Sequence, residues 1–129
     1  MSTMTDMSDG PLQLRDATPA DLPQLEAWCL AHRPGDTPPY IAVTLSEFVS
    51  ASSRGFLLII LDGTDERGFV VVSRLWSNRL RDEAAVIDDH VADEATDPDL
   101  LRHELTRFLK ARGIDRLLAH GEDGTLKSI

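Results

Sequence analysis

Three polar residues in a row, Asp88-Asp89-His90, end an otherwise apolar run, "AAVIDDHV" (84–91). They are the chain's best material for acid–base chemistry. A partly desolvated carboxylate at a strand end is suited to take a proton from an acceptor amine. Strand alternation sets Asp89 on the face of Ile87 and Val91, and Asp88 with His90 on the other. The competing reading is a strand end whose polar residues are hydrogen-bonded at the surface. As metal ligands the trio falls short, because two residues on one face do not complete a site. His103-Glu104 begins a zinc-helix pattern, but Arg107 stands where a second His is required, so no metal is expected. Ser73 and Ser77 lack an elbow motif for acyl-serine chemistry. Cys29 falls on the apolar stripe of a predicted helix and reads as a buried thiol.

Immediately downstream lies "VADEATDPDLLRHELTRFLKARG" (91–113), a strand feeding an amphipathic helix. Such a junction often receives phosphate, because free N–H groups and the helix dipole point at the anion. Here Asp93, Glu94, Asp97 and Asp99 crowd the helix start instead. "TDPD" is self-sufficient: Thr96 or Asp97 caps the free N–H groups, and Pro98 has none to offer. A carboxylate about 5–6 Å from a diphosphate opposes it by about 1–3 kcal/mol at effective dielectrics of about 20 to 80.

These residues sit in a chain of 129 residues, enough for one domain with one core. Residues 1–11 read as a disordered lead-in, 12–121 as the domain and 122–129 as a short tail. The net charge of −9 disfavours nucleic acid and anionic membrane as partners. The single cysteine suits a reducing cytosol, "MSTMTDMSDG" lacks a signal-peptide core, and no apolar run is long enough to span a bilayer. A cytoplasmic location is the expectation.

The elements follow from periodicity and punctuation. "LQLRDAT" (12–18) is a short strand. Thr18-Pro19 opens a helix with Asp21 completing a capping box, and Leu22, Leu25, Trp28 and Cys29 form its buried stripe. A Pro-rich loop containing Tyr40 and Ile41 follows, then a second helix opened by Thr44 and Glu47 and ended by Arg54-Gly55. "FLLIIL" (56–61) is a central strand, "DGTDERG" a turn, and "FVVVSRLW" (69–76) the returning strand. After the strand at 84–91, Leu101, Leu105, Phe108 and Leu109 stripe a helix closed by Gly113, and "DRLLAH" (115–120) is the last strand. The expected class is α/β (α+β): a mixed sheet of about five strands with three helices, in the order β-α-α-β-β-β-α-β. The last two strands should be parallel.

This order, with the opening "LQLRDATPADLPQLEAW", the long hairpin, a fourth strand ending in Asp-x-x-Val and a helix closed by "ARG", resembles the GNAT superfamily of N-acyltransferases over roughly residues 12–121. The resemblance implies that the fourth strand and the next helix bind acetyl-coenzyme A, the strand edge pairing with pantetheine and an Arg/Gln-x-x-Gly-x-Gly/Ala loop wrapping the pyrophosphate. The family-equivalent cofactor positions are then His90, Val91, Thr96, Leu100 and Leu101, with Asp88 or Asp89 as candidate general base. Tyr40 and Ile41 fall in the acceptor or partner loop, or else tuck under the sheet as core. No glycine lies between Gly68 and Gly113, so the phosphate loop is missing. The family continues past "RLLAH" with another helix and two strands, whereas this chain stops at "GEDGTLKSI".

Two functions follow. One is a GNAT-like protein that has lost the pyrophosphate loop, uses no cofactor and serves as a non-catalytic binding or regulatory module. The other is an N-acetyltransferase with an atypical acetyl-CoA site. The sequence names neither an acceptor nor a protein partner. The 115–120 strand is unprotected on its outer edge and is expected to form the interface of a two-fold homodimer, the alternative being that the tail folds back over it.

Overall fold

The computed structural model describes residues 12–32, 39–50, 53–78, 81–93, 96–120 and 126–128. The lead-in at 1–11 and most of the Pro-rich loop lie outside them. Among the described residues six strands form one sheet in sequential order: β1 (Gln13–Asp16), β2 (Gly55–Asp62), β3 (Asp65–Ser77), β4 (Asp82–Ala92), β5 (Leu117–His120) and β6 (Leu126–Ser128). All neighbours are antiparallel except β4 and β5, which are parallel as a strand–helix–strand unit requires.

Three helices cover the sheet. After a 3₁₀ turn at Pro19–Asp21, α1 (Leu22–His32) and α2 (Pro39–Ser50) pack on one face, while α3 (Pro98–Lys110) packs on the other. Alternation along β2 and β3 divides the core accordingly. Leu57, Ile59, Phe69 and Val71 meet Leu25, Ile41 and Leu45, whereas Leu58, Val70 and Val72 meet Leu105 and Leu109. Burial on both faces explains the unbroken "FLLIIL". The α3 stripe holds as read, with Leu105 and Leu109 fully buried and Leu101 and Phe108 half-buried. Gly113, at φ 82°, lets the Ile114 N–H turn back to the Leu109 carbonyl at 3.0 Å.

Three expectations are corrected. The second helix starts at Pro39 rather than Thr44, because Ile41, Leu45 and Phe48 at i, i+4 and i+7 already form its buried stripe. It ends at Ser50, and Gly55 opens β2 instead of capping the helix. The sheet has six strands, not five. The tail supplies β6, which pairs with β5 through Leu118↔Ser128, Ala119↔Lys127 and His120↔Leu126, so the β5 edge is filled by the chain itself.

The first turn is held by a clamp. The Asp21 carboxylate accepts two guanidinium N–H bonds from Arg15, each 2.9 Å, and the Thr18 N–H at 2.8 Å; Arg15 also reaches Glu66 at 2.6 Å. The Arg15 bonds, followed by the Thr18 N–H, hold the Asp21 carboxyl down from 3.8 to about 2 against the opposing effect of burial. A depressed carboxylate stabilises the fold above its unfolded pKa, and that contribution is lost as pH falls through the folded value. Asp21→Asn should therefore cost about 1–2 kcal/mol at pH 7, allowing for screening at the half-exposed Arg15. The difference should shrink between about pH 4 and pH 2. Urea midpoints at both ends of that range check it; an undiminished difference at pH 2 would contradict the clamp.

Candidate functional site

The site is built where β4 outruns β5. Pairing between them covers only Ala85↔Leu117, Val86↔Leu118 and Ile87↔Ala119. From Asp88 to Ala92, no strand among the described residues pairs with β4 on that side. The register with β3 also breaks here: Val72 faces Ile87, Val71 faces Asp89, and Asp88 is the extra residue of a bulge.

The bulge overturns the strict alternation read from sequence. Ile87 lies opposite Val72 on the α3 face, while Asp89 lies opposite Val71 on the α1/α2 face together with Val91. His90 lies opposite Val70, on the α3 face. Asp88 accepts a hydrogen bond from the Ser73 hydroxyl, and its other oxygen lies 3.5 Å from His120 Nε2 on β5. Ser73 follows Val72 in the strand and so points to the α1/α2 side, which separates Asp88 from His90. Among the described residues no group of three His, Cys, Asp or Glu side chains could hold a metal. His103 is exposed, and Glu104, its side chain 12% exposed, pairs with Arg107 at 2.8 Å.

Two adjoining clefts flank the unpaired stretch of β4. One, of about 380 Å³, is lined by His32, His90, Ala92, Asp93, Thr96, Pro98 and Leu101. The other, of about 280 Å³, lies between the sheet and α3, against Ile87, His90, Leu101, Leu105 and Ala119.

The far wall is the start of α3. Asp97 is the N-cap, its side chain accepting the Asp99 N–H at 2.9 Å and its carbonyl the Leu101 N–H at 3.0 Å. Pro98 has no N–H, so with Asp99 held by Asp97 two first-turn positions offer no donor. Thr96 is not the cap; its hydroxyl donates to Asp93 at 3.0 Å. Arg67 is drawn to acids, 3.0 Å from Asp93, 3.6 Å from Asp62 and 3.7 Å from Asp65, and those carboxylates raise its pKa, Asp93 foremost. Arg102 lies 3.3 Å from Asp99.

The remaining expected residues separate. Val91 is buried in the core under α1 and α2, and Leu100 stands exposed on α3. Ile41 was read as a loop contact or a core residue; it is 6% exposed and belongs to the core of the α1/α2 face. Tyr40 falls in the first turn of α2, and its side chain lies outside the described residues. Sequence reasoning missed His120 and Arg67, and weighed Ser73 only as an acyl-serine, not as the partner of Asp88. The available signal was the pair Asp88-Asp89, since a bulge puts two successive residues on one face.

This architecture, with a bulged β4 diverging from a parallel β5 at the start of α3, is the GNAT acetyltransferase fold. No family model and no curated protein matches the chain. Among solved structures, an integron cassette protein from the mobile metagenome of Cole Harbour Salt Marsh superposes with a TM-score of 0.70 at 18% identity, over 84% of this chain and 77% of that one. A GNAT family acetyltransferase from Staphylococcus aureus gives 0.66 at 13%, over 87% of each chain. One from Brucella melitensis, in complex with acetyl-CoA, gives 0.57 at 12%, over 86% and 76%. At these identities the likeness establishes the fold.

Proposed function

We propose that this chain is a GNAT-fold binding module whose cleft does not use acetyl-CoA. One observation carries the reading: Asp97 and Pro98 close the α3 N-terminus, the place where a diphosphate would take its hydrogen bonds. With no N–H at Pro98 and the Asp99 N–H held by Asp97, two of the donors a diphosphate would use are withdrawn. Asp93, Asp97 and Asp99 oppose it, and the cations nearby, Arg67 and Arg102, are already drawn to carboxylates. Thermal shift tests the reading. At 1 mM acetyl-CoA no stabilisation is expected, whereas a Kd of about 10 μM would add about 2.7 kcal/mol. A saturable upward shift would overturn it.

A second reading, N-acetyl transfer from acetyl-CoA to an amine, is favoured by one feature. Asp88, bonded by Ser73 and 3.5 Å from His120 at the bulge, is the candidate base. Turnover of acetyl-CoA with amine acceptors, abolished by Asp88→Asn, would support it over the first.

Association with a second copy is a proposal of the same kind. Because β6 covers β5, the strand offered to a partner is Leu126–Ser128, all three residues exposed. A dimer mass by light scattering that Leu126→Lys reduces to monomer would support it, and a monomer mass in the unaltered protein would contradict it.

A further inference from the structure

The unpaired stretch of β4 has a defined hydrogen-bonding direction. The Asp93 N–H donates to the main-chain carbonyl of Arg67 in β3, 3.1 Å away. In an antiparallel ladder the residues that bond across alternate. Val91 and Asp93 therefore face β3, and the backbone N–H and C=O groups of His90 and Ala92 face the cleft. No strand among the described residues meets them there.

From this edge we infer that the slot receives an extended peptide segment in which apolar and basic residues alternate, added as a strand beside β4. The inference rests on the reading of the cleft as free of acetyl-CoA and names the chemistry of its occupant. An added strand would satisfy His90 and Ala92 with main-chain bonds, the usual source of affinity in β-addition. Its side chains would point alternately to the two faces. On the α3 side they meet Ile87, Leu101, Leu105 and Ala119, a mainly apolar wall rimmed by Asp99 and Arg102, which pair with each other. On the α1/α2 side they meet Asp89 and Asp88, the latter also bonded by Ser73 and near His120, with Asp93, paired to Arg67, at the end of the slot. The protein's net charge of −9 favours a cationic partner over an acidic one and speeds its approach.

The probe is a fluorescein-labelled Lys-Val-Lys-Val-Lys-Val peptide, read by anisotropy against the full chain. Saturable binding is expected. It should weaken at least tenfold when Glu replaces Lys, and at least tenfold when alternate peptide nitrogens are methylated, which removes the donors aimed at β4. Ala92→Pro deletes an outward N–H without touching the β3 ladder and should weaken binding similarly, with circular dichroism showing it folded. Absence of saturable binding would overturn the inference, as would equal binding of the methylated peptide, a result attainable even if Ala92→Pro fails to fold. A dimer mass that Ala92→Pro converts to monomer would give the slot to a second copy and overturn it too. Acetyl-CoA added alone separates the two ideas: its binding overturns the cofactor-free reading, whereas failure of the peptide with no acetyl-CoA binding overturns this inference only.

Discussion

Phe69→Ala should destabilise the protein by about 3–5 kcal/mol, the largest single-residue loss expected here. Phe69 is fully buried, lies opposite Val91 on β4 and Ile59 on β2, and meets Trp28 of α1 at 6.2 Å between ring centroids. It thus lies in the core that α1 and β4 share. Truncation leaves a cavity that strands on both sides restrain from closing. Phe69→Leu, which keeps most of the volume, should lose much less. Urea unfolding of the two variants measures both; a loss below about 1 kcal/mol for the alanine variant would mean that the core beneath β4 is not packed as described.

The second large effect is at the neighbouring residue. Gly68 lies opposite Ala92, and a Cβ there would stand 1.9 Å from the Val91 carbonyl oxygen and 2.8 Å from Ala92 Cα. These are backbone atoms of a central pairing, so no side-chain rotation relieves the clash. Gly68→Val should cost about 3 kcal/mol and push β4 away from β3 at the residues whose outward groups line the cleft. Shifted amide resonances at His90 and Ala92 would accompany the loss. Unchanged stability would show that β3 and β4 do not approach so closely.

The sequence was informative wherever one physical signal dominated. Unbroken apolar residues at 56–61 marked a strand covered on both faces, and the Leu105/Leu109 stripe marked α3. "TDPD" announced a helix that caps itself, and Asp97 does so. Other features depended on contacts distant in sequence. The bulge at Asp88 is a mismatch in length between β3 and β4, which no local period records. The start of α2 at Pro39 came from tertiary burial of Ile41, against a strong local cap at Thr44. The strand β6 has three exposed residues with no pattern of their own; it exists because β5 offers an edge. His120 meets Asp88 only because β4 and β5 run parallel, which brings their C-terminal ends together.

The central claim is that the α3 N-terminus is closed to a diphosphate by its own residues. Amide chemical-shift mapping with acetyl-CoA tests it at the atoms concerned. The Asp99, Leu100 and Leu101 amides should stay unmoved at millimolar acetyl-CoA, with the Asp99 amide still held by Asp97. Saturable shifts centred on those three amides and on His90 and Ala92 would contradict it.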